Sequence, residues 1–155
     1  MTIEHHRSLW HGLELSNSFE IALFAVACMA FWCCCRLGEL TDPHFEPTSH
    51  VAHSTEFKHG IAANGLKYIN FHVLHPKTKE AGKDINVIDF MCPCSATSAL
   101  EHHLSSNKDV PVSAPLFAFE SADGQWAPMK QTWFMARCNT VWEKDGLASI
   151  KGHGF

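Results

Sequence analysis

Tyrosine is nearly absent from this chain. One residue, Tyr68, stands beside eleven phenylalanines and five tryptophans, so any chemistry needing a phenol rests on a single position. Charge is sparse as well: Asp, Glu, Lys and Arg make up 18% of the 155 residues and hydrophobic residues 46%, the reverse of a disordered composition. Positive charge is not in excess. Twelve Lys and Arg against sixteen Asp and Glu leave a net charge of −4 with His neutral, which excludes a strongly basic domain and confines any nucleic-acid contact to a local cluster. The start, Met1-Thr2-Ile3-Glu4-His5-His6, has no apolar core behind a positive flank and so is not a secretory signal. The apolar run from Ile21 to Cys35 has fifteen residues between Glu20 and Arg36, whereas a membrane span needs roughly 20. No internal repeat and no inter-domain linker is visible, and the length suits one domain or a piece of one.

Histidine and cysteine are plentiful instead. There are twelve histidines, and seven cysteines of which Cys33, Cys34 and Cys35 are consecutive inside the apolar run. An odd count with adjacent members argues for reduced, buried thiols and a nuclear or cytoplasmic location. Cys28 and Cys33 to Cys35 read as core filling.

The pattern predicts a fold that is mainly α with a small antiparallel β-sheet (α+β). A short helix fits Thr2 to Gly12. Asn17 then offers an N-cap with Glu20 three residues on, opening a helix to about Cys34 that is apolar all round and therefore buried on most sides. Gly38 weakens helical continuity and Asp42-Pro43 ends it. Val51 to Lys58 can supply an edge strand. Leu66 to Leu74 and Asp84 to Phe90 read as two strands of an antiparallel hairpin whose tip carries Lys77 and Lys79. A helix from Cys94 or Ser95 to about Ser106 follows, then a buried Leu116-Phe117-Ala118-Phe119 segment. A strong helix over Lys130 to Asp145 stops at Gly146, and its Trp133, Phe134 and Trp142 read as core.

Three polar signals stand out against this scaffold: Arg36 with Glu39 at the end of the apolar helix, Lys77 and Lys79 at the hairpin tip, and His153 after a glycine. A guanidinium grips two phosphate oxygens with a planar fork, an ammonium can protonate a leaving oxygen, and an imidazole moves protons near neutral pH. Together they suit phosphodiester transfer. Each also has a plainer reading. Arg36 can satisfy helix-end carbonyls or pair with Glu39 or Glu14, the lysines can be a solvated turn, and His153 can be plain loop. His5-His6, His102-His103 and Cys92-Pro93-Cys94 lack the second pair that a zinc site needs, so no metal and no cofactor is expected.

The stretch Ala30-Phe31-Trp32-Cys33-Cys34-Cys35-Arg36-Leu37-Gly38-Glu39-Leu40 resembles the first-arginine box of the tyrosine recombinases, the phage-integrase-type DNA breaking-rejoining enzymes. Pro76-Lys77-Thr78-Lys79 resembles that family's hairpin lysine, and Gly152-His153-Gly154-Phe155 the start of its His-x-x-Arg box. Residues 2–155 together are similar to recombinase-like domains of mobile elements in mushroom-forming fungi.

The resemblance implies that Arg36 binds the scissile phosphate and that Glu39 supports the site or holds the helix end. It implies Lys77 as general acid, with Lys79 the rival choice, and His153 as an aid to proton transfer and phosphate binding. Arg36, Lys77, Lys79 and Lys151 would then touch double-stranded DNA, with self-association on DNA in the full-length form and no membrane partner. The family's second arginine and nucleophilic tyrosine would follow Phe155, and Tyr68, inside a predicted strand, does not fit the latter role. The expectation is a truncated catalytic domain that does not cleave DNA alone, or else a catalytically dead DNA-binding or protein-interaction module.

Overall fold

The structure is a computed structural model that describes residues 1–41, 57–73, 83–89 and 94–151. Along these run α1 (Ile3–Gly12), α2 (Ser18–Trp32), α3 (Leu37–Leu40), β1 (Lys58–Ile61), β2 (Lys67–Val73), β3 (Lys83–Ile88), α4 (Ala96–Ser106), β4 (Phe119–Glu120), β5 (Trp126–Ala127) and α5 (Gln131–Lys144). The architecture is a mixed α+β one with a small antiparallel sheet.

The middle of α2 has no polar stripe, and every residue from Ile21 to Ala30 is buried. α1, α3, α4 and β4 pack around it. Burying a large aliphatic or aromatic side chain is worth about 1.5–3 kcal/mol, so α2 dominates the core energetics. Its N-cap is the expected one: the Asn17 side-chain oxygen accepts from the Glu20 N–H at 3.2 Å. The reciprocal half of the capping box does not form. The Glu20 carboxylate accepts instead from the Glu14 N–H and from Arg137 Nε at 2.7 Å, tying the start of α2 to α5. α2 ends at Trp32, before the expected Cys34, where Cys34 adopts φ +51 and leaves the helical region. Among the described residues no helix is long and apolar enough to cross a membrane.

The three-stranded sheet has the order β1-β2-β3, antiparallel throughout. Both arms of the expected hairpin are present. An edge strand lies at Lys58–Ile61 and meets the expected Val51–Lys58 segment at Lys58, while residues 42–56 fall outside the described residues. Ile69, Phe71, Ile85 and Val87 alternate into the core. α4 packs against β3, with Thr97 Oγ1 donating to the Val87 carbonyl at 3.5 Å. The α4 cap is Ser95, whose hydroxyl accepts from the Ser98 N–H at 3.1 Å.

α5 buries Phe134, Cys138, Val141 and Trp142, and Gly146, at φ +71, ends it. Trp133 departs from the core reading. It is 41% exposed, and the Lys130 ammonium sits 4.5 Å from its ring centroid. Neighbouring helical residues diverge by about 100°, so Trp133 and Phe134 cannot both face inward. The cysteines divide as well: Cys28 and Cys35 are buried, Cys33 is half-buried, and Cys34 is exposed rather than core.

α1 docks onto α5 through a close approach at Gly12. A Cβ there would lie 2.4 Å from Val141 Cγ1, a stiff branched side chain that is itself buried. Gly12→Ala is expected to destabilise the fold by about 1–3 kcal/mol despite the helix preference of alanine. Adding Val141→Ala should recover part of the loss. Urea unfolding of both variants checks this.

Candidate nucleic-acid interface

Arg36 stands at the corner between α2 and α3. It is the N-cap residue of α3, in extended conformation, and its side chain is exposed. At the end of a buried helix, where the sequence puts it, a charge is costly. Because α2 stops at Trp32, the guanidinium reaches solvent and that cost does not arise. Glu39 holds the corner, its carboxylate accepting from the Arg36 N–H at 3.1 Å. Arginine has no acceptor with which to return the bond, so Glu39 fixes the backbone and leaves the guanidinium uncommitted to the cap. Arg36 lines a cavity of about 290 Å³ together with Met1, Ala30, Phe31, Cys34 and Cys35.

Of the other residues singled out from sequence, Lys151 is described and exposed. Its approach is fixed by Asn139 of α5, whose Oδ1 accepts from the Ile150 N–H at 3.0 Å and whose Nδ2 donates to the Ile150 carbonyl at 3.3 Å. Lys77, Lys79 and His153 lie outside the described residues, as does Cys92. The structure therefore brings Glu39 to Arg36 and places Lys151 beside α5. Residues 1–5 link the two regions. Met1 lines the Arg36 cavity, and His5, four residues on, bonds the Ala148 carbonyl through Nε2 at 2.9 Å.

Behind the cavity Phe31 stacks on His6, with ring centroids 5.1 Å apart. His6 is 1% exposed, and its Nε2 lies 3.2 Å from Cys28 Sγ. Burial among Phe24, Phe31 and Trp32 disfavours the imidazolium and pushes the pKa down from 6.5 to about 4. His6 is thus a neutral packing group. Burial likewise pushes the Cys138 thiol up, and the Glu20 carboxylate beside Arg137 holds that guanidinium's pKa above its ordinary value.

Sequence reasoning missed one polar knot. His103 is fully buried: Nε2 donates to the Leu116 carbonyl at 2.8 Å, and Nδ1 lies 3.1 Å from Asn107 Nδ2, which donates to it. Asn107 Oδ1 accepts from the Glu120 N–H at 2.9 Å, so this pair ties the end of α4 to β4. The helical spacing of four between His103 and Asn107 was the available signal. Among the described residues no group of three or more His, Cys, Asp or Glu could hold a metal ion. A second cavity, about 480 Å³, opens where β1 and β2 meet α4, between Lys67, Asp89 and Glu101.

Comparison with known proteins finds no matching family model, no matching curated protein and no matching solved structure.

His6 sets an acid limit on the fold. Its folded pKa of about 4 lies below the 6.5 of an unfolded chain, so between these values the unfolded state binds more protons. Stability from neutral His6 is complete above pH 6.5 and is lost as pH falls towards 4. At about 1.36 kcal/mol per pH unit the loss reaches about 3 kcal/mol. His6→Leu should flatten the pH dependence of the urea midpoint across that window.

Proposed function

We propose that this chain is a DNA-binding part of a site-specific recombinase, a DNA strand cleavage and rejoining enzyme, in which Arg36 grips a backbone phosphate. The observation that supports the reading most is the exposed guanidinium at the α2–α3 corner, pinned through its backbone by Glu39 and bordering a cavity. A phosphate reader needs such a fork, carried on a fixed backbone and, among the described residues, not consumed by an ion pair. The N-terminal tie supports it further, since residues 1–5 join the cavity containing Met1 to Ala148, three residues before Lys151. Lys77 as proton donor, Lys79 as its rival and His153 as proton-transfer aid complete the reading, on the order of residues in the sequence.

A second reading, a module that holds DNA without cutting it, is favoured by Tyr68. This tyrosine lies inside β2, paired across to Gly60 and Ile88. A strand residue in a ladder on both sides is poorly placed to swing onto a phosphate as a nucleophile.

Both readings make affinity for duplex DNA salt-dependent. Anisotropy titrations at several salt concentrations should give a negative log–log slope that shrinks by about 0.9 for each phosphate contact removed. Arg36→Ala is expected to reduce the slope by that amount, and Arg36→Lys to restore only part of the affinity because the bidentate fork is lost. If the Arg36→Ala, Lys77→Ala double variant binds duplex as the parent does, the reading is wrong. A covalent protein–DNA adduct on a nicked duplex would separate the cleaving enzyme from the holding module.

A further inference from the structure

The solvent side of the three-stranded sheet carries an ordered set of polar side chains that phosphate gripping by Arg36 does not use. Because Ile69, Phe71, Ile85 and Val87 face the core, the alternate residues Tyr68, Asn70 and His72 of β2 and Asp84, Asn86 and Ile88 of β3 share the other face. Register sorts them into rows. Lys58, Asn70 and Asn86 form the middle row across all three strands. His72 and Asp84 form the row on one side, and Gly60, Tyr68 and Ile88 the row on the other.

In the middle row Asn70 Nδ2 donates to Asn86 Oδ1 at 2.9 Å. A carboxamide has a carbonyl acceptor and two N–H donors, so this bond leaves the Asn70 oxygen and the Asn86 nitrogen for another molecule. Turning both amides over leaves the same outcome, one acceptor beside one donor. Adenine presents the complement in the major groove, an N6–H donor beside the N7 acceptor.

The neighbouring rows keep this pair accessible. His72 Nδ1 lies 2.7 Å from Asp84 Oδ1, which holds the Asp84 carboxylate within its own row. The Tyr68 ring lies over Gly60, where a Cβ would fall 2.4 Å from the ring carbon Cζ, so only glycine lets the ring lie there. Strands are spaced about 4.8 Å apart, so β2 and β3, which carry the two amides, form with their side chains a ribbon about 10 Å wide, with β1 as a third strand along its outer edge. That fits the B-form major groove, about 12 Å wide, and not the deep, narrow one of A-form RNA. Exposed Lys58, one strand further out in the same row, then meets the phosphate wall of the groove.

We propose that this sheet face reads duplex DNA in the major groove, with Asn70 and Asn86 jointly contacting one adenine and Lys58 the flanking phosphate. The proposal rests on the DNA-binding part of the reading above, and not on the role of Arg36.

The test is selection of the full chain on a random duplex library, followed by competition titrations at fixed salt. Enriched duplexes should share one adenine, and replacing that base pair should weaken binding on the order of tenfold. Asn70→Ala and Asn86→Ala should each abolish the difference while affinity for random duplex persists. Lys58→Ala should weaken all duplexes alike. Both carboxamides lie on the solvent side, and melting temperatures verify that the variants fold. Asn86→Asp, which can still accept from Asn70 but loses the outward donor, should turn the preference away from adenine. Duplex binding with no shared position, or an adenine preference that survives both alanine variants, overturns the sheet-face proposal and leaves DNA binding standing. Failure to retain any duplex overturns both.

Discussion

A helix with no polar side must be covered on every side, and the rest of this fold is arranged to meet that demand. From Ile21 to Ala30 α2 offers water nothing, so α1, α3, α4 and β4 all close on it. Polar chemistry is pushed to its two ends. At the start, Asn17 caps the backbone and Glu20 reaches out to Arg137. At the far end, the left-handed residue Cys34 stops the helix and turns the chain outward, which brings Arg36 to solvent. The position of the guanidinium is thus a consequence of where an apolar helix must stop.

The parts of this fold legible in sequence are those governed by local rules. Asn17 as a cap, Ser95 as a cap, the alternation in β2 and β3 and the glycine stop after α5 depend on residues a few positions apart. What escaped depends on the third dimension. Spacing marked both Trp133 and Phe134 as apolar helical residues, yet only packing against the core decides which of two neighbours turns inward. His102-His103 read as a weak metal motif, whereas His103 is a core hydrogen-bonding group whose partner carbonyl, on Leu116, lies thirteen residues away. The exposure of Cys34 and Arg36 followed from a single positive φ that no propensity scale assigns to cysteine. As for the candidate site, sequence order named Arg36, Glu39, Lys77, Lys79, Lys151 and His153. The structure speaks to Arg36, Glu39 and Lys151, the other three lying outside the described residues.

Two surfaces follow from these constraints, and they differ in kind. The Arg36 corner offers one charged fork beside a cavity, suited to a phosphate and indifferent to base sequence. The outer sheet face offers neutral amides in register, suited to the edge of a base. In the proposed reading, separating charge from base recognition would let a chain with net charge −4 engage a polyanion through a few cations while the amides discriminate.

The contact between α1 and α5 carries a consequence for biosynthesis. Trp142 Nε1 donates to the His5 carbonyl at 2.9 Å and His5 reaches Ala148, joining positions more than 130 residues apart in synthesis. On the ribosome, α1 emerges first, and the side of it that meets α5 stays uncovered until α5 is made. Throughout that interval this side is open to chaperones and to other nascent chains, so the yield of correctly assembled protein depends on how quickly translation delivers α5.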